Sequence, residues 1–382
     1  MNMKHQSTYL FRDILERVEV PVNVEPDKEY VQIGIRSHGK GLFYKEPVLG
    51  KALGNKQVFW IQPNCFILNV VFAWEQAITK TTENEIGMIG SHRFPMYRPK
   101  NDLVNIDYLI YYFLTKRGTD ILEAASPGGA GRNRTLGQER FLKSKITLPT
   151  LPEQQKIATI LSTQDKVIEL KEKLLAQKQQ QKKYLMQQLL TGKRRLPGFD
   201  RKWNYVKANE IFKSIVDKSH GGKLEVLSST QDKGIVPRSQ VDIDIKYNEN
   251  SLSTYKKVCE GDFVISLRSF QGGIEYSNYA GIVSPAYTVL RAIVKIDAGY
   301  YKQFFKSSNY IKRLNVAVYG IRDGKQISYD DFGQIKIPVP PIEEQREVAK
   351  ILSTADHEID LLQKSIEAEK QKKKALMQLL LT

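Results

Sequence analysis

The sequence predicts an α/β protein: two globular α/β domains separated by two long helices that form an antiparallel coiled coil, with an internal pseudo-two-fold repeat. Three observations predict it. The chain repeats itself at half its length, each copy ends in a long polar helix too poor in apolar residues to stand alone, and the segments between mix strand and helix patterns.

The repeat is the strongest of these. Shifting by 191 residues lays Lys145–Thr191 on Lys336–Thr382 without a gap, with 23 of the 47 positions identical. IATILSTQD (157–165) becomes VAKILSTAD (348–356), and KKYLMQQLLT (182–191) becomes KKALMQLLLT (373–382). Thr382 matches Thr191, so the chain consists of two tandem units. Weaker likeness reaches upstream, where GIRSHGKGLF (34–43) lies over LSSTQDKGIV (227–236) and PNCFILN (63–69) over EGDFVIS (260–266). The expected organisation is a first domain over 1–144, a helical region over 145–196, a second domain over 197–335 and a second helical region over 336–382.

Each repeated segment opens on an extended proline-containing stretch, ITLPTLPEQ (146–154) and IKIPVPPIEEQ (335–345), in which proline fixes φ and delays the helix to the glutamate. Ser162, Thr163 and Asp165 have cap-type side chains and predict a break or restart there. A long helix then runs to Thr191, and its copy to Thr382. The apolar positions shared by the copies are Ile168/Ile359, Leu175/Ile366, Leu185/Leu376 and Leu189/Leu380, while the middle (177–183 and 367–374) is rich in Lys and Gln. Such a helix buries too little alone, so pairing of the two copies is expected to supply the missing face. About 25–27 residues at 1.5 Å rise span roughly 40 Å, close to one turn of B-DNA. Two ordinary surface helices would not need matching sequence.

The domains themselves carry strand-type runs, YVQIGI (30–35), FVISL (263–267) and YTVLRAIVKI (287–296), beside helical patterns at Ile106–Thr115 and Tyr300–Leu314. With 382 residues, 41% of them hydrophobic, more than one core is expected.

Charge points to a polyanionic partner. Lys and Arg number 58 against 42 Asp and Glu, a formal +16. Residues 1–191 hold 27 basic and 19 acidic side chains and residues 192–382 hold 31 and 23, so both halves are basic and neither charge is a tail. Cys65 and Cys259, far apart, support neither a disulfide framework nor a zinc site. No leader-type segment and no apolar run of membrane-spanning length occurs, so a cytoplasmic protein with no membrane partner is expected.

Loops that combine glycine with basic and amide side chains are the candidate DNA contacts. They are Arg36-Ser37-His38-Gly39-Lys40, together with Arg93, in the first domain, and Ser229-Thr230-Gln231-Asp232-Lys233 and Arg268-Ser269-Phe270-Gln271 in the second. Arg and Lys can bond guanine, Gln can bond adenine, and glycine lets backbone approach phosphate. A second pair of loops, with Arg132 and Arg134 (128–134) and Arg322 and Lys325 (320–325), could cradle phosphate just ahead of each repeated segment. For any one of these side chains, a solvated surface charge is the commoner state. The loops carry the expectation.

Catalysis has no signature. The sequence lacks a GxxxxGK[ST] loop, a GxGxxG helix start, HExxH and GxSxG, and His5, His38, His92, His220 and His357 are scattered. No catalytic residue, metal ligand or cofactor-binding residue is therefore assigned, and Met186/Met377 are read as packing residues. Two rival classes are a methyltransferase or nuclease fragment, which should show a cofactor loop or clustered carboxylates, and a coiled-coil scaffold unrelated to DNA, which the charge of both halves opposes.

The pattern IPxPPxxEQ, then AxILSTxD, a Lys/Gln-rich helix and LMQxLLT, followed by GKRRLPGF (192–199) and the Trp203–Phe212 segment, resembles the conserved regions of type I restriction-modification specificity subunits. TQDKGIVPR, GDFVISLRSFQGG and GIVSPAY are similar to a second target-recognition domain of that family. The resemblance implies a non-catalytic subunit whose two domains each read one half of a split, asymmetric site in double-stranded DNA, with the helices at 165–191 and 356–382 setting the gap. It implies docking of two methyltransferase subunits, which bind S-adenosylmethionine, and of ATP-dependent restriction subunits, so that both cofactors sit on partners. Two departures stand out: Thr150 replaces the second proline of the usual pair, and no PGFxxxW lead-in precedes the first domain, which leaves YLFRDILE (9–16) as the counterpart of VKANEIFK (206–213).

Overall fold

The computed structural model describes residues 6–54, 57–128, 134–241, 249–317 and 327–381. They form two compact units, Met1–Lys171 with Ser365–Thr382, and Glu172–Lys364. Each is α/β and each contains one expected domain together with parts of both long helices.

In the first unit, Ser7–Leu10 pairs antiparallel with Lys145–Leu148, and a four-stranded antiparallel sheet runs in the order Leu15–Val18, Met96–Pro99, Phe66–Leu68, Ile78–Lys80. Helices Ile106–Phe113, Lys116–Ala124 and Gln138–Lys143 close over it. The second unit repeats this plan. Asn204–Lys207 pairs with Lys336–Val339, and the sheet order is Phe212–Ile215, Thr288–Ala292, Phe263–Ile265, Glu275–Tyr276. Helices Ala298–Phe305, Ser308–Ala317 and Tyr329–Gln334 take the matching places. The helical pattern expected over Tyr300–Leu314 is thus divided where the Ser307 hydroxyl caps a new start at the Tyr310 N–H.

Aromatic rings fill both cores. Phe11 lies 4.7 Å from Phe141 and 5.5 Å from Phe113, and Phe263 lies 5.5 Å from Phe212 and 5.3 Å from Phe305. Such rings bring large buried area and favourable offset or edge contacts.

The long helices differ from expectation at both their start and their middle. They run unbroken over Leu151–Leu189 and Ile342–Leu380. The first helical hydrogen bonds come from Gln154 N–H to the Thr150 carbonyl and from Gln345 N–H to the Pro341 carbonyl, both 2.9 Å, two residues ahead of the predicted glutamate starts. Proline is tolerated in a first turn, where its missing N–H has no helical partner. Nor do Ser162 to Asp165 break the helix. The hydroxyls of Thr159 and Ser162 donate to carbonyls one turn back, at 2.8 and 3.1 Å, and so satisfy themselves without interrupting it.

Asp165 has a different task. It accepts from Tyr111 Oη at 2.8 Å and pairs with Lys373 at 2.6 Å in the first unit. Its copy Asp356 accepts from Gln303 Nε2 at 2.6 Å and pairs with Lys182 in the second. Lys182 and Lys373 are themselves copies, so each unit contains the same clamp between a domain helix and two antiparallel long-helix segments. Lys171 with Ser365 and Glu369 (2.8 and 2.7 Å) and Lys178 with Glu358 (2.7 Å) extend the antiparallel pairing in the first and second unit respectively.

The eight apolar positions expected to pair helix with helix divide into two kinds. Ile168 and Ile366 are buried in the first unit, and Leu175 and Ile359 are half-buried in the second. The outer four do more than pair. Leu376 and Leu380 pack, with Met377 and Leu381, into the first domain's core beside Ile157 and Leu161. Leu185 and Leu189 pack, with Met186 and Leu190, into the second core beside Val348 and Leu352. Each domain core is finished by the last turns of the long helix that starts from the other copy.

The Glu-Gln pair at the head of each helix is structural. Gln154, fully buried, accepts from Asn105 N–H at 2.9 Å and donates to the carbonyls of Leu103 and Pro149 at 3.0 and 2.9 Å. Gln345 accepts from Asp297 N–H and donates to the Pro340 carbonyl, both 2.9 Å. Asn105 and Asp297 in turn cap the next domain helix, each accepting at 2.9 Å from Tyr108 and Tyr300 N–H. The two glutamates diverge. Glu344, 1% exposed, is gripped by Arg195 through two 2.7 Å bonds and by Trp203 Nε1 at 2.8 Å, whereas Glu153 accepts from the N–H and hydroxyl of Thr150 at 3.1 and 2.9 Å. The threonine that departs from the family pattern therefore supplies the donors that Arg195 and Trp203 supply in the second copy.

Gln154→Ala strips partners from one buried and two half-buried backbone groups and should destabilise the protein by about 2 kcal/mol. Asp165→Asn, at a partly exposed clamp, should cost about 1 kcal/mol or less. Denaturant titration of both variants checks the order; equal losses would show that the glutamine is not the stronger tie.

Candidate nucleic-acid interface

In the first unit Ile33–Ile35 and Leu42–Tyr44 form a hairpin whose loop carries Arg36 to Gly41. Phe43 lies flat on Gly34, where a Cβ would come within 2.2 Å of the ring, and the Arg36 guanidinium stacks over Phe43 at 5.2 Å while donating to the Leu42 carbonyl. Ser37 Oγ donates to Glu75 at 2.9 Å, and the N–H groups of His38 and Gly39 donate to the carbonyls of Glu75 and Gln76 at 2.8 and 2.9 Å. His38 adopts φ 59°, a left-handed conformation that these bonds hold in place. The result is a fixed loop with Arg36, His38 and Lys40 exposed and Ser37 turned inward. Arg134 stacks over Trp74 at 5.3 Å, so the turn Ala73–Glu75 and its neighbour Gln76 hold both the hairpin and Arg134. Arg93 is exposed on a turn closed by its N–H to Ser91 Oγ at 3.3 Å.

In the second unit Leu227–Thr230 pairs with Gly234–Pro237, leaving Gln231, Asp232 and Lys233 as the exposed turn. Ser229 and Thr230 belong to the strand. Thr230 Oγ1 donates to the Gly234 carbonyl at 2.9 Å and accepts from Lys233 N–H at 3.1 Å, which fixes the turn from within. The second candidate loop packs directly on it: a Cβ on Gly272 would lie 2.9 Å from the Gln231 side chain. Here Arg268 and Gln271 are exposed, but Ser269 is buried and accepts from Ser266 N–H at 2.8 Å, so its hydroxyl serves the turn and not the surface. Lys306 braces the pair from below, donating to the Gln231 carbonyl at 3.2 Å and to the buried Glu275 carboxylate. Burial pushes the Glu275 carboxyl above its ordinary range while Lys306 works against that shift.

The structure thus joins Gln231 and Lys233 with Arg268 and Gln271 on one surface, and Arg36, His38 and Lys40 on another. Arg132, Arg322 and Lys325 lie outside the described residues. The sequence reading missed the supports: Trp74, Glu75 and Gln76 in the first unit, Glu275 and Lys306 in the second. Among the described residues no group of three or more His, Cys, Asp or Glu is placed to hold a metal ion, and no helix is long and apolar enough to cross a membrane.

The family described as the type I restriction modification DNA specificity domain matches twice, over residues 25–179 and 200–370. The chain belongs to this family. Its two matches fall on the two copies of the repeat. The type I restriction enzyme MjaVIII specificity subunit of Methanocaldococcus jannaschii is 27% identical over 311 residues, covering 74% of this chain and 71% of its own. Among solved structures, the HsdS subunit from Thermoanaerobacter tengcongensis is similar with a TM-score of 0.56 at 20% identity, covering 99% of this chain and 97% of its own. The S subunit of a type I restriction-modification system from M. genitalium is similar with a TM-score of 0.57 at 14% identity, covering 100% and 97%. This specificity-family chain shares their α/β fold with its long helices.

Gly273, with φ 84°, would place a Cβ 2.1 Å from the Phe305 carbonyl oxygen. Gly273→Ala should therefore cost roughly 1–3 kcal/mol and displace the 268–272 loop. Gly261→Ala, at φ 92° with open space around it, should cost less. Denaturation midpoints decide, and a smaller loss at Gly273 would contradict the packing described.

Proposed function

We propose that this specificity-family chain reads a bipartite, asymmetric site in double-stranded DNA, one half with each domain, 1–144 and 197–335. The observation that carries the reading is the duplication itself. The same frame appears twice, each time holding exposed basic side chains on braced loops, joined in the second by the amides of Gln231 and Gln271, and each time tied by the same aspartate clamp to antiparallel segments of two 39-residue helices. Phosphate neutralisation by the basic halves supplies affinity, and the side chains of Arg36, His38 and Lys40 in one domain and Gln231, Lys233, Arg268 and Gln271 in the other supply base contacts.

On this reading the helical regions, 145–196 and 336–382, set the unread gap between half-sites. They also dock two methyltransferase subunits: Leu170 and Leu361, copies of one another, are each 52% exposed on the long helices and offer the same apolar contact twice. Restriction subunits join that core, the chain itself performs no reaction, S-adenosylmethionine and ATP are bound by the partners, and the assembly works in the cytoplasm.

Methylome sequencing of a host with and without the chain tests the reading, since one split motif should appear or vanish. Removing seven residues from the middle of each long helix, at partnered levels, shortens the strut by about 10 Å, or about three base pairs at 3.4 Å each. The new motif should keep both half-sites and lose spacer; altered half-sites with an unchanged spacer would refute the ruler. Exchanging 197–335 for another such domain should change one half-site only.

A further inference from the structure

The two copies differ sharply in one place. In the second unit a groove of about 560 Å³ lies between helix Ala298–Phe305 and the first turns of the long helix Ile342–Leu380, lined by Lys302, Arg346, Lys350, Tyr276, Ser353 and Asp356 among others. Lys302, Arg346 and Lys350 are exposed, and none has an ion-pair partner among the described residues. Arg346 and Lys350 are four apart and share a helix face. The two carboxylates that line the groove are already committed: Asp356 to Lys182 and Gln303, and Asp297 to the Tyr300 N–H. Lys302 also lies over the Tyr276 ring at 5.5 Å.

The first unit lacks this charge. Asn105 and Asp297 are matching caps, each bonded by the matching glutamines Gln154 and Gln345, which aligns the copies residue by residue. Five positions past the caps stand Ile110 and Lys302; one and five past the glutamines stand Gln155 and Arg346, then Thr159 and Lys350. A partner that docks as two equal copies would meet the same face twice, so a face present once fits something else. Lys302 sits one turn before Lys306, whose Nζ bonds the Gln231 carbonyl, so the cations continue from the reading hairpin towards the long helix.

The geometry points to a phosphate-binding track for duplex DNA, present in the second unit alone, in which Lys302, Arg346 and Lys350 grip the backbone beyond the bases read by Gln231, Lys233, Arg268 and Gln271. This rests on the reading of the chain as a DNA recogniser. It makes the second half-site the more strongly anchored, independent of its sequence.

The test uses the full chain assembled with its methyltransferase partner and a duplex carrying its own modification motif. In the variant K302Q/R346Q/K350Q the slope of log K against log salt should fall by about 3, at roughly 0.9 per phosphate. The footprint should retract beside the second half-site only, with the methylated motif unchanged. An unchanged slope and footprint would overturn the track while leaving the proposed function intact. Failure of the variant to assemble with the methyltransferase would overturn it in favour of a protein-docking face. Absence of salt-dependent duplex binding by the unsubstituted complex would overturn both.

Discussion

Each domain core is incomplete until the tail of the other copy's long helix enters it, and that constraint organises the molecule. Leu376, Met377, Leu380 and Leu381 close the core that contains Phe11 and Phe113, and Leu185, Met186, Leu189 and Leu190 close the one that contains Phe212 and Phe305. A helix whose middle is Lys- and Gln-rich has little apolar surface to contribute along its length. It is held instead at its ends, where full burial of a leucine is worth about 1.5–3 kcal/mol. The polar middle is then free to be matched by charge, with Lys171 on Glu369 and Lys178 on Glu358.

The repeated motifs serve this constraint more than they serve recognition. The glutamine after the proline step fixes the helix start to the cap of a domain helix, the aspartate of the ILSTxD segment ties that domain to the arriving lysine, and the LMQxLL ending fills the core. In the proposed reading, recognition falls to the loops between, which the frame braces but does not specify.

The duplication, the long helices and the α/β character were legible because they are written in period and identity. Other features depended on partners that no local pattern names. Ser162 and Asp165 have the chemistry of caps, yet once a helix is held at both ends a hydroxyl can bond one turn back and an aspartate can reach a neighbouring helix. Thr150 looked like a simple replacement for proline until Glu153 was found to need its donors. Among the loop residues, the sequence could nominate Ser37, Thr230 and Ser269 for their hydroxyls but could not show that each is spent on the loop itself. The long, charged side chains beside them remain outward.

Hydrogen exchange on the full chain addresses the shared-core claim most directly. If the tail of the second long helix completes the first domain, amides of residues 374–381 exchange with the same opening free energy as those of Ile106–Phe113, as one cooperative unit. Exchange of that tail as a freely fraying end, with the first domain still protected, would contradict the account.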